Sequence, residues 1–61
     1  MQSFVVKYAN YRIDEIWNNS KLTQDEKNRA INKISNAVID CQHDYISINT
    51  AMRVIANLDI N

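Results

Sequence analysis

Sixty-one residues with seven basic and seven acidic side chains, one cysteine, one histidine and neither glycine nor proline bound the protein from several sides. A chain of this length holds one domain, 1–61, and buries only about 60% of its unfolded surface. Regular helix packing or self-association must then stabilise it, because a lone Cys41 and a lone His43 can make neither an internal disulfide nor a closed zinc site.

The balanced charge lacks the basic excess from which nucleic-acid binding draws its affinity. No apolar run approaches the ~20 residues of a membrane span. No charged segment precedes an apolar core at the N-terminus, so secretion is not expected, and a free thiol fits the cytoplasm. Without glycine and proline, strand-rich folds lose their usual turn residues, which favours an all-α chain with asparagine doing the turn work. Asparagine and isoleucine, nine of each, have AT-rich codons and suggest an AT-rich bacterial, phage or mobile-element genome.

Three helical segments follow, at about 3–18, 23–43 and 48–59. In the first, Ser3 is a candidate N-cap and Asn18-Asn19-Ser20 ends the helix. At 100° per residue, Val5, Val6, Ala9, Ile13, Ile16 and Trp17 form one broad stripe. Phe4, Tyr8 and Tyr11 gather on nearly the opposite side. The charges oppose the macrodipole, with Lys7 early and Asp14 and Glu15 late, so this helix depends on burial more than on its own propensity.

Thr23-Gln24-Asp25-Glu26 opens the second segment as a capping box. Behind it, Ala30, Ile31, Ile34, Ala37, Val38 and Cys41 recur at threes and fours, opposite Asn28, Arg29, Asn32, Lys33, Asn36 and Asp40. Ile39 alone breaks the polar face. Ser47 is the N-cap expected for the third segment, with Ile46 and Ala51 as a hydrophobic staple. Its core stripe is Ile48, Ala51, Met52, Ile55 and Leu58, while Val54 and Ile60 lie off it. Short turns between such segments give a small three-helix domain with antiparallel neighbours, expected to self-associate.

The aromatic stripe is the sharpest functional signal. Three rings at about 150–250 Å² each reach or exceed the largest apolar patch of an ordinary monomer. Either the third helix folds over them, or they form an intermolecular interface. The expected protein interface is therefore Phe4, Tyr8, Tyr11, Ile39 and Val54. Asp40-Cys41-Gln42-His43-Asp44 superficially suggests a metal or Cys–His site, but helical spacing puts Cys41 on the core stripe and the others on another side. Lys21, Lys27, Arg29 and Lys33 cluster at the start of the second helix, with Asp25 and Glu26 cancelling much of their field.

A helix-turn-helix arrangement would present Asn49, Thr50, Arg53 and Asn57 to DNA, with a dimer needed to double the few phosphate contacts. A membrane-surface role for the first helix lacks the lysine and arginine that its polar face would need. The expectation is a non-enzymatic cytoplasmic regulator, adaptor or inhibitor that binds a protein or a second copy through an apolar helix face. No cofactor, metal or small-molecule substrate is expected, and a dimeric DNA-binding regulator is the alternative.

Overall fold

All three segments are helical in the computed structural model, which describes residues 3–58: α1 (Ser3–Trp17), α2 (Gln24–Gln42) and α3 (Ile48–Ala56). No strand occurs among the described residues, and each helix packs against both others in an all-α three-helix domain. α1 ends one residue short of the expected 18. Ser3, the candidate N-cap, is the first residue of α1. The limits expected for the second segment, 23 and 43, are its two caps, Thr23 and His43. α3 stops three residues earlier than expected, because Asn57 leaves helical geometry and caps it by donating to the Arg53 carbonyl. Ile60 lies outside the described residues.

The N-termini of α2 and α3 are fixed locally. Thr23 Oγ1 accepts from the Glu26 amide at 3.2 Å, and Glu26 Oε1 accepts from the Thr23 amide at 2.8 Å, closing the capping box. The Thr23 backbone N–H, then its hydroxyl, hold the Glu26 carboxyl below its ordinary value of 4.5, with Arg29 adding a smaller push. Ser47 Oγ accepts from the Thr50 amide at 3.1 Å. Ile46 packs on the core and Ala51 is buried, which suits a hydrophobic staple.

Asparagine does only part of the turn work. Asn19 Oδ1 accepts from the Lys21 amide at 2.9 Å, an Asx turn between α1 and α2. The left-handed position after α2 falls instead to Asp44, at φ 60°. There Tyr45 N donates to Asp40 O and Asp44 N donates to Cys41 O, the two bonds of a Schellman motif.

The buried core is Val5, Ala9 and Ile16 from α1, Ala30, Ile34, Ala37 and Cys41 from α2, and Ala51 and Ile55 from α3. Four of these nine are alanines, so the helices meet through close approach and the few large side chains carry most of the burial. Ile13, Ile31, Val38, Met52 and Leu58 pack around this centre half-buried. Two expected core residues depart from it. Trp17 is 53% exposed, because it is the last residue of α1 and lies at the far edge of its stripe. Ile48, the first residue of α3, is also exposed.

Two cations join the helices across their ends. Lys27 Nζ donates to the Trp17 carbonyl at 3.0 Å and sits 5.8 Å from the centre of its ring. α1 has no basic residue in its own last turn, so α2 supplies the positive charge that its C-terminus favours. Arg12 does the same for α3. Its Nε donates to Ile55 O at 3.2 Å and its guanidinium reaches Leu58 O at 3.4 Å, while a third nitrogen pairs with Glu15 at 2.8 Å. Arg12 is thus the polar joint between α1 and α3.

Candidate functional site: the outward face of α1

α3 lies along the flank of α1 marked by Tyr8 and Arg12, and this splits the aromatic stripe. Tyr8 is half-buried against the core. Phe4 and Tyr11 sit about 40–60° further round the helix and remain 70% and 60% exposed. The sequence posed two alternatives, a stripe covered by the third helix or one left free; the structure covers one ring and leaves two. Lys7, Asp14 and Glu15 border the free rings, all exposed. The face is therefore apolar along its middle and charged at its rim, as protein interfaces are.

The other two expected interface residues lie elsewhere. Ile39 is exposed at the edge of a shallow groove of about 210 Å³ between α1 and α2, floored by Val6, Ile13, Ile34 and Val38. Val54 is exposed in a second groove of about 280 Å³ between α2 and α3, beside Ile46, Thr50, Lys33 and Asp40. Phe4 and Tyr11 line neither groove, so the five residues mark three separate surfaces. Tyr45, which sequence reasoning passed over, is also exposed and stacks on His43 at 5.4 Å between ring centres. Its neighbour Asp44, turned left-handed, could have been foreseen only from the helix end and not from periodicity.

The Asp40–Asp44 stretch divides between the core and the turn. Cys41 is a buried core side chain and His43 is exposed in the turn. Among the described residues, no group of three or more histidine, cysteine, aspartate or glutamate side chains is placed to hold a metal ion. Asn49, Thr50, Arg53 and Asn57 are exposed on α3, but they bring one cation between them. Of the basic cluster at the start of α2, Lys27 is committed to Trp17. No described helix is long and apolar enough to cross a membrane.

A family model described as Domain of Unknown Function (DUF1542) matches residues 4–54. The chain belongs to the DUF1542 family. The DUF1542 match starts at Phe4 in α1 and ends at Val54 in α3, so it takes in all of α2 and most of α1 and α3. No curated protein and no solved structure matches the chain.

Proposed function

We propose that this DUF1542 domain is a protein-binding module, a regulator or adaptor that acts through the outward face of α1. The observation that carries this reading is the exposure of Phe4 and Tyr11 on a helix whose opposite side already fills the core. Rings this exposed add little to the buried core, and aromatic side chains are among the residues that anchor interfaces. The charged rim of Lys7 and Asp14 gives orientation to what an apolar strip alone would hold loosely.

The proposal includes a cytoplasmic setting, which a single free thiol suits, with Cys41 buried and packed as a small hydrophobe.

The test is site-specific photocrosslinking in cells that make the protein. A photoreactive phenylalanine analogue replaces Phe4 or Tyr11 in one set of chains and Asn32, on the polar side of α2, in another. Discrete protein adducts formed from Phe4 and Tyr11, and absent from Asn32, are expected. Equal adducts from all three positions, or none from α1, would refute the reading.

A further inference from the structure

The outward face of α1 carries an asymmetry that the fold does not use. Lys7 and Asp14 are both exposed, and Arg12–Glu15 is the one ion pair among the described residues. Both charges also sit at the wrong ends of their helix. α1 has no acid in its first turn and no base in its last, while Lys7 lies towards the positive end and Asp14 towards the negative end. An antiparallel partner helix reverses that relation, since it sets its own C-terminal half beside Lys7 and its N-terminal half beside Asp14.

The spacing fits a heptad seam. With Phe4 and Tyr11 at d, Tyr8 and Glu15 fall at a, and Lys7 and Asp14 both fall at g. In an antiparallel pair related by a two-fold axis, g residues face g residues. Layers that set Tyr8 against Tyr11 of the partner subunit then place Lys7 against Asp14 of the partner subunit, twice by symmetry. A parallel pair instead sets g against e, so Lys7 and Asp14 of the two copies do not meet.

Resting on the reading of this face as a protein-binding surface, we infer that its partner is a second copy of this chain, joined α1 to α1 in antiparallel order. The seam uses the exposed rings of Phe4 and Tyr11 beside the half-buried Tyr8, and reciprocal Lys7–Asp14 pairs fix its register. Phe4 and Tyr11 together offer about 250 Å² of exposed ring surface per copy. A standard interface covers about 800 Å² per partner. The dimer is therefore weak, visible at high concentration, and sensitive to salt because its charges lie at the rim.

Sedimentation equilibrium of the full chain, from about 20 μM to about 1 mM at low salt, tests this. Lys7→Glu and Asp14→Lys are each expected to associate at least tenfold more weakly than the native chain, the first through carboxylate repulsion and the second through ammonium repulsion. An equimolar mixture of the two is expected to recover native association. In the mixed dimer the introduced glutamate of one chain meets the introduced lysine of the other, and the remaining Asp14 meets the remaining Lys7. Both positions are exposed, and unchanged thermal melting of each variant establishes that folding is intact. A native chain that stays monomeric throughout, a single variant that associates as strongly as the native chain, or a mixture no stronger than its components would overturn the second-copy inference. Photocrosslinking from Phe4 to a different protein would also overturn it, while leaving the protein-binding reading of the face standing.

Discussion

α2 and α1 are built on different principles. α2 carries its own instructions: a capping box at its start, a Schellman turn at its end and a single apolar stripe facing inward. α1 has no first-turn acid and no last-turn base, takes its C-terminal cation from Lys27, and lends Arg12 to α3. It also keeps three aromatic rings exposed, Phe4 and Tyr11 along its outward face and Trp17 at its end. A helix fixed by local signals needs nothing beyond its own domain. A helix fixed by its neighbours has one face committed to them and another left for use elsewhere.

The contrast is broken most severely at the centre of α2. Ile34 is fully buried, and Ile34→Ala is expected to cost about 2–5 kcal/mol. In a domain this small that leaves a large unfolded population, read as loss of a cooperative urea transition. Arg12→Ala tests the borrowed joint. The side chain is 13% exposed and donates to two carbonyls at the end of α3, so removal is expected to lower stability by about 2 kcal/mol. Urea midpoints would check this, and a loss below about 0.5 kcal/mol would show that water replaces the guanidinium without penalty.

Thr23→Ala removes a local instruction and is expected to cost about 1 kcal/mol near pH 7. Its pH dependence sharpens the comparison. The folded Glu26 carboxyl titrates below its unfolded value of 4.5, so its contribution is present above that value and is lost as pH falls through the lower folded one. The stability gap between the native chain and Thr23→Ala should therefore narrow on acidification below about pH 5. The backbone N–H of residue 23 remains in the variant, so a gap that is constant with pH would show that the Thr23 hydroxyl has no part in lowering the Glu26 carboxyl. The smallest effect has the opposite sign. Asp44 holds φ 60° without being glycine, and Asp44→Gly is expected to raise stability by up to about 1 kcal/mol, as thermal melting would show.

What sequence could reveal follows the same division. α2 and its caps were legible almost residue by residue, because a capping box and a periodic stripe involve neighbours three or four positions apart. The N-cap of α3 at Ser47 was legible for the same reason, whereas its early end at Asn57 was not marked by any breaker. Arg12 gives no periodic signal, because its partners lie 43 and 46 residues away in sequence. Trp17 was assigned to the core from its angle alone, but at the last position of a helix no following turn covers it, and a lysine from α2 does so instead. The aromatic stripe was visible as a stripe. Its division into one half-buried and two exposed rings depended on which flank of α1 received α3, which periodicity does not encode.

The division of α1 into a face for the fold and a face for a partner is tested most directly by comparing thermal unfolding of two variants at low micromolar concentration. Tyr8→Ala removes a ring that packs against the core and is expected to lower stability by about 1–3 kcal/mol. The double variant Phe4→Ala/Tyr11→Ala removes two exposed rings and is expected to stay within about 0.5 kcal/mol of the native chain. A double variant that melts as early as Tyr8→Ala would contradict the division, because the outward rings would then belong to the fold.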